Sequence, residues 1–589
     1  MLKAIVAFSL RFRGIVIALA CLAFGYGVYS AINAKLGVFP EFAPPQTMIQ
    51  TEAPGLAPEQ VEALITQPIE NVLLGLNDVA VIRSQSIQGL SAITVFFREG
   101  TDIYRDRQLV SERLLEVASQ MPAGVSAPVM APLTPAAAWF LTVGLTSKKL
   151  QPMDLWSFAY WTMRPRLLAV PGVAKVEIYG GGVRQLQIQV QPRRLLAYGL
   201  SISQVLAAAR RSTGVEGAGF VENANQRIVI RTEGQSITPE QLGNAVLAPL
   251  DGTSVRLRDV ARVEWAPQPL IDGAAIRGTR GVILILAAQY GANTLEVTRR
   301  AEAALRDLAP AVKAEGITLF PRLFRVADFI ETSVAGIGSS LLLGGALVAI
   351  VLTLFLYNLR SAFISLTAIP LSLLIAVVVL NLMGATLNTI TLGGLAIAIG
   401  EVVDDAVIDV ENIFRRLRGN RASANPRPTF DVILDASLEV RSAVVYATFV
   451  VALVFFPVLS MTGVQGKIFA PLGVAYILAI LASLGVALTL TPALCAAMLP
   501  RATSEVETRF VRWLRELHRR WLQRLLDRPR IAAVGVGALC LAAAATLPFF
   551  EGSFLPELQE NSFIMHMAGI PGTSIDESMR IGREISVAA

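Results

Sequence analysis

Residues Gly400–Leu417 read GEVVDDAVIDVENIFRRL and close an apolar stretch that opens near Asn388. Five carboxylates, Glu401, Asp404, Asp405, Asp409 and Glu411, fall where bilayer hydrocarbon would be. An acid at the centre of a spanning helix costs roughly 2.5–3.5 kcal/mol on insertion scales, and such residues characteristically mark proton or ion pathways. On a helix Asp404 and Glu411 share one face, about 10 Å apart along the axis. Asp405 and Asp409 share another, with Glu401 above Asp405. Burial disfavours the charged form of a carboxyl group. An acid held there can load a proton on one side and release it on the other, and differential tolerance of the ionised form couples that flow to movement. One plain alternative is a helix whose acids face a water-filled seam and merely pair with structural cations; another places the helix end so that Asp409 and Glu411 already lie at the cytoplasmic interface. The hairpins around this helix are read as carrying no Lys or Arg inside their apolar runs, so a counter-charge is expected from the missing half of the protein or from a partner chain.

Working outward, further apolar runs lie at about 14–32, in the crowded stretch 334–500 and at about 531–550, giving seven expected spans of about 20 residues, each enough to cross roughly 30 Å. The chain has 589 residues, 53% of them hydrophobic, which excludes an ordinary soluble multidomain protein. The net charge of +6 does not point to nucleic acid, because the basic residues cluster beside the apolar runs. Lys3, Arg11 and Arg13 precede the first run, Arg360 joins two later ones, and Arg415, Arg416, Arg418 and Arg421 follow the acidic helix. A dense set spans Arg501–Arg530. The positive-inside rule makes these groups cytoplasmic and places the loop 33–333 and the tail 551–589 outside. Residues 1–34 also fit a secretory signal, but the run is long for one, and a retained span is the preferred reading.

The loop 33–333 alternates strand and helix signals. Thr47–Glu52, a helix over Pro58–Leu74, Val79–Gln85, Ala92–Phe97 and a helix over Asp102–Gln120 follow the split βαβ, ferredoxin-like order. The order restarts at Trp139–Leu145 and finishes at Ile317–Phe324, around an inserted unit at about 184–272. The fold class expected is therefore an α-helical membrane protein with a large external α+β region of ferredoxin-like βαββαβ subdomains. Residues 501–530 read as a basic amphipathic helix, with Trp513, Leu517, Trp521 and Leu525 on one stripe. Val38–Phe42 (VFPEF) echoes Phe554–Leu558 (FLPEL), and Pro54-Gly55 echoes Pro571-Gly572, which reads as a parallel duplication whose second copy begins after about residue 551. The three cysteines, Cys21, Cys495 and Cys540, sit in apolar runs and form no disulfide or metal signature. Gly180-Gly181-Gly182 reads as a turn after a strand. An intramembrane aspartyl protease is disfavoured because its two aspartates must come from separate helices, whereas these acids share one.

The pattern Gly400-x-x-Val403-Asp404-Asp405-Ala406-Val407 with Glu411-Asn412 resembles the resistance–nodulation–division superfamily of proton-driven exporters over essentially the whole chain. Gln50–Leu56, Gln67–Glu70, Gly100–Tyr104 with Arg107–Val110, and Ser562–Ile575 look like its heavy-metal efflux branch, the last being similar to cobalt–zinc–cadmium exporters. The resemblance implies a secondary active transporter rather than an enzyme. Asp404 takes the position of the proton-relay aspartate, Asp405 the place where the metal branch often has a small residue, and Glu411 that of a second acid. A paired Asp-Asp is more typical of drug exporters, so export of organic compounds is the alternative cargo, with a secretion or lipid-handling helper behind it. The resemblance further implies twelve spans, a homotrimer in the inner membrane, protons and metal cations as its ions, and a complex with a periplasmic adaptor protein and an outer-membrane channel. It makes this chain an N-terminal portion. No cofactor is expected. For metal, the local candidates are Met565, His566 and Met567: thioethers suit soft Cu(I), imidazole suits Zn and its neighbours. In a strand the two Met would share one face and His566 the other.

Overall fold

Every second side chain along Leu90–Phe97 is buried: Ser91, Ile93, Val95 and Phe97. The computed structural model describes residues 2–37, 39–135, 138–214, 220–229, 235–250, 253–270, 272–356, 359–423, 425–499, 509–549, 565–570 and 573–588. The first sheet takes β1 (Gln46–Glu52), β2 (Val79–Ile87), β3 (Leu90–Phe97) and β4 (Val129–Met130) in the spatial order β2-β3-β1-β4. Its ladders are antiparallel, with Ile49 opposite Ile93. A helical run over 58–73 and the helix Ile103–Ala118 cover one face. Their apolar stripes meet the sheet at Ile65, Ile69, Val110, Ile49 and Ile93, all fully buried. Asp102 starts the second helix by accepting from the Tyr104 N–H at 3.0 Å.

The same plan recurs in β5 (Trp139–Ser147), β6 (Val173–Tyr179), β7 (Thr279–Ala288) and β8 (Ile317–Arg325). β7 pairs with β5 and with β6, and β8 pairs with β5, all antiparallel. That is again the split βαβ order, with residues 180–278 inserted between its second and third strands. After β6, Gly180, Gly181 and Gly182 all take positive φ, and a Cβ on Gly181 would lie 2.5 Å from the Pro152 carbonyl oxygen, so the turn admits only glycine there. Within the insertion, Arg184–Val190 pairs with Ala261–Pro267 and a small core gathers around Leu195, Leu257 and Val260.

The apolar part contains α1 (Leu2–Arg11), α2 (Arg13–Ile32), α3 (Val326–Leu356), α4 (Leu359–Leu382), α5 (Thr389–Arg421), α6 (Thr429–Val454), α7 (Gly463–Met498), α8 (Arg509–Asp527) and α9 (Pro529–Thr546). Among the described residues, six helices are long and apolar enough to cross a membrane: α2, α3, α4, the helical stretch Thr429–Leu459 that includes α6, α7 and Pro529–Phe549. The acidic segment forms α5 as expected, 33 residues long, but its charges keep it out of that set. It packs against α7, α6 and α4. α8 leaves Trp513, Trp521 and Leu525 exposed on its stripe.

The chain divides into two compact units. One comprises Met1–Ala136, Asn293–Leu295 and Val326–Phe563, the other Ala137–Ala292, Glu296–Arg325 and Ile564–Ala589. Within the second unit the helix Ile575–Ala588 lies by the start of β7, where Asp576 pairs with Arg280 at 2.6 Å. Phe554–Leu558 and Pro571-Gly572, the second half of the sequence echo, lie outside the described residues.

Candidate functional site

α5 has a sharply defined start. The Asn388 side chain accepts from the N–H groups of Ile390 (3.0 Å) and Thr391 (2.9 Å), and the Thr391 hydroxyl accepts from the Asn388 N–H at 2.8 Å. This reciprocal cap satisfies donors that would otherwise be stranded in an apolar setting. From there one stripe runs inward: Thr391, Gly394, Leu395, Ala398, Val402, Asp405, Ala406, Asp409, Val410, Asn412, Ile413 and Leu417 are buried. Glycine matters at one point of this stripe. A Cβ on Gly394 would sit 2.5 Å from the Leu472 carbonyl oxygen of α7, so the two backbones approach as closely as glycine permits.

The inward stripe contains Asp405 and Asp409, each nearly sealed from solvent. Ser483 Oγ on α7 donates to Asp405 Oδ2 at 3.2 Å. Asp409 meets Arg441 Nη2 of α6 at 2.8 Å, with both side chains 1% exposed. The same guanidinium is within electrostatic reach of Asp405. One turn on, Asn412 Nδ2 donates to the Ala436 carbonyl at 2.8 Å, and its Oδ1 accepts from Arg415 at 2.8 Å. Ser365 Oγ of α4 donates to the Ala406 carbonyl at 3.1 Å. The inner face is thus a polar seam embedded in the apolar cluster of Ile364, Val410, Ile433 and Leu484.

The other face carries Asp404 and Glu411, both exposed, with Glu401 half-buried between the faces. The pairing of acids into two faces follows from helical spacing, but which face turns inward comes from the packing: Asp405 and Asp409 are inside, and Asp404 and Glu411 are not. One expectation is overturned. The hairpins do supply a buried cation, Arg441, which neighbours Asp409 directly. The apolar run in that hairpin begins just beyond Arg441, but α6 begins at Thr429, so a residue at the edge of the run lies well inside the helix.

Met565, His566 and Met567 are exposed and belong to no regular element, so the strand alternation expected for them is not formed. Among the described residues, no group of three His, Cys, Asp or Glu side chains gathers into a metal-holding cluster. Cys495 is buried, while Cys21 and Cys540 are exposed, and none is in a disulfide.

A family model described as the AcrB/AcrD/AcrF family matches residues 5–588. The chain is 33% identical to Protein HelA of Legionella pneumophila over 98% of its own length and 56% of that protein's. It is 30% identical to the cobalt-zinc-cadmium resistance protein CzcA of Cupriavidus metallidurans, covering 99% of the chain and 56% of the relative. It is also 30% identical to the cation efflux system protein CusA of Escherichia coli K12, covering 94% and 54%. The crystal structure of a heavy metal efflux pump superposes with a TM-score of 0.82 at 27% identity, over 99% of this chain and 56% of that one. The chain therefore spans about half the length of the relatives it matches.

Proposed function

Since the chain belongs to the AcrB/AcrD/AcrF family of resistance–nodulation–division proteins, we propose that it is the permease part of a proton-driven exporter of heavy-metal cations. The observation that carries the proposal is the inner seam of α5, where Asp405 and Asp409 are buried among neighbouring helices and, among the described residues, contact Ser483 and Arg441. Carboxylates buried among spanning helices are costly, and where they occur they characteristically mark ion pathways. Asp405 takes a proton from the outer side and gives it up toward the cytoplasm, and the change in its charge changes how α5 packs on α7. Asp404 and Glu411, on the exposed face, act as proton relays with whatever surface covers that face. The protein sits in the inner membrane as a homotrimer, works with a periplasmic adaptor and an outer-membrane channel, and takes up its cation through the external α+β region. Met565, His566 and Met567 contribute ligands only together with residues from elsewhere, because three adjacent exposed side chains cannot enclose an ion.

Names of the relatives support a metal cargo: a cobalt-zinc-cadmium resistance protein and a cation efflux protein. The Asp404-Asp405 pair favours keeping organic compounds as the second cargo class. Growth of cells expressing the full-length protein on graded metal salts and on cationic dyes separates the two. Asp405→Asn and Asp404→Asn, expressed at normal level, should each abolish the resistance. Undiminished resistance in both would reject the relay, and protection against dyes alone would reject the metal cargo.

A further inference from the structure

Proton carriage at Asp405 does not by itself call for a second buried charge pair beside it, yet the bundle contains one. Asp409 and Arg441 are each 1% exposed and 2.8 Å apart. A buried ion pair is a poor stabiliser, since desolvation of both ions can exceed their attraction and apolar residues of similar volume are often as good or better. Stability is therefore an insufficient reason for the pair. It is also incompletely satisfied. Beyond the contact of Arg441 Nη2 with Asp409 Oδ2, neither Asp409 Oδ1 nor Arg441 Nε and Nη1 finds a hydrogen-bond partner among the described residues. Three hydroxyls of the surrounding helices, those of Ser361, Ser437 and Thr491, are likewise buried and find no partner among the described residues. Ser437 lies one turn from Arg441 on α6 and Thr491 one turn from Cys495 on α7. Unsatisfied buried polar groups at this density call for water or for a second arrangement of the same groups.

A guanidinium has five donors in a fixed fork, so Arg441 has donors to spare. A second carboxylate lies on the same helix face. Asp405 stands one turn from Asp409, about 6 Å along the axis, and feels the charge of Arg441. We infer that Arg441 is a positioning residue for proton exchange: anchored by Asp409, it supplies Asp405 with a counter-cation from within this chain's own bundle. The inference rests on the reading of Asp405 as proton carrier. With Asp405 protonated, the guanidinium serves Asp409 alone. Once the proton leaves toward the cytoplasm, the cation is shared between two carboxylates on the same helix face, and no group has to cross the bundle.

The charged and polar groups on the surrounding helices fit this division of labour. On α5, Glu401 and Asp404 lie beyond Asp405 and add negative charge to it. From α7 come the Ser483 hydroxyl and the Cys495 thiol. On α6, Glu439 turns outward to Arg416 and Asp435 to Arg427. α4 carries Arg360, which donates to the Met498 carbonyl at the end of α7. α3 carries Asp328 and Glu331 near its start, and α1 carries Lys3 and Arg11. Among the described residues of the bundle, Arg441 is the only buried cation.

The test is the pH dependence of metal–proton exchange by the full-length protein in liposomes, for Arg441→Met, Arg441→Lys, the double variant Asp409→Leu/Arg441→Met, and Asp405→Asn. Without a cation nearby, a carboxyl at 405 gives up its proton only at higher pH. The Met variant and the double variant should both shift the midpoint of the profile upward by about 1 pH unit or more, while Arg441→Lys keeps the original midpoint. A double variant with an unshifted midpoint, or a Lys variant shifted as far as the Met variant, overturns the inference. Should the double variant fail to insert, the Lys and Met comparison decides alone. Asp405→Asn separates the two levels: unimpaired proton exchange in that variant rejects the carrier reading itself, whereas loss of exchange there with unshifted Arg441 variants rejects only the role of Arg441.

Discussion

Removing Arg441 alone would leave Asp409 charged, buried and without its neighbouring cation. Breaking a buried pair in this way costs about 3–5 kcal/mol, whereas replacing both partners by apolar residues is often neutral or stabilising. The expected order of thermal stability in detergent is therefore Arg441→Met lowest, with Asp409→Leu/Arg441→Met close to the unaltered protein. A double variant as unstable as the single one would contradict it. In the external region, burial first, then the Glu177 carboxylate beside it, hold the Tyr179 hydroxyl up at about 12. The hydroxyl donates to Glu177 Oε2 at 3.2 Å. An unfolded tyrosine loses its proton near 10, so this contribution to stability is complete below pH 10 and disappears as pH rises through about 12. Tyr179→Phe should flatten the loss of stability between those limits, followed by unfolding at fixed denaturant. Both residues show the limit of reading alone. Asp405 and Asp409 can be paired by counting along a helix, but the partner of Asp409 is a residue 32 positions later, and nothing local to either announces the contact.

At the scale of the element, α5 depends on two small features. Its Asn388 cap holds the first turn, and an N-cap changed to alanine costs about 1 kcal/mol. Gly394 sets the distance to α7, because any Cβ there meets the Leu472 carbonyl. Gly394→Val should push α5 from α7, lowering the thermal midpoint more than Asn388→Ala does. It should also depress transport, since the Asp405–Ser483 contact spans the same interface. Fluorescence-detected gel filtration after heating would rank the two, and equal midpoints would show that the close approach carries no weight. The helix itself, its length and its two faces were legible from Asn388 onward. The inward choice was not, because both faces carry two acids and only the shape of α4, α6 and α7 breaks the tie.

For the whole molecule, the basic flanks of the helices and the two α+β units give a topology that can be tested directly. In cells expressing the full-length protein with its own cysteines removed, Ala224→Cys should react with a membrane-impermeant maleimide from outside, and Ala422→Cys only after the membrane is broken. The reverse pattern would invert the orientation. With the natural cysteines present, Cys495 should label only after denaturation, because it is fully buried near the Asp409–Arg441 pair. Repetition of the split βαβ order was visible in the strand and helix spacing, since alternation every second residue and apolar stripes every third or fourth are local properties. The spatial order β2-β3-β1-β4 of the first sheet is that of the split βαβ motif.

What the sequence determined by itself was the class of protein: apolar runs of membrane length, an external α+β region with two ferredoxin-like patterns, and an acidic helix among the spans. These follow from composition and from the fixed periods of helix and strand, which need no knowledge of distant residues. Only the tertiary structure decided that Asp405 and Asp409 face inward, that Arg441 stands against them, and that Asp404 and Glu411 lie on the exposed face. Those outcomes depend on how α4, α6 and α7 fit around α5, and close packing between residues far apart in the chain has no period to read.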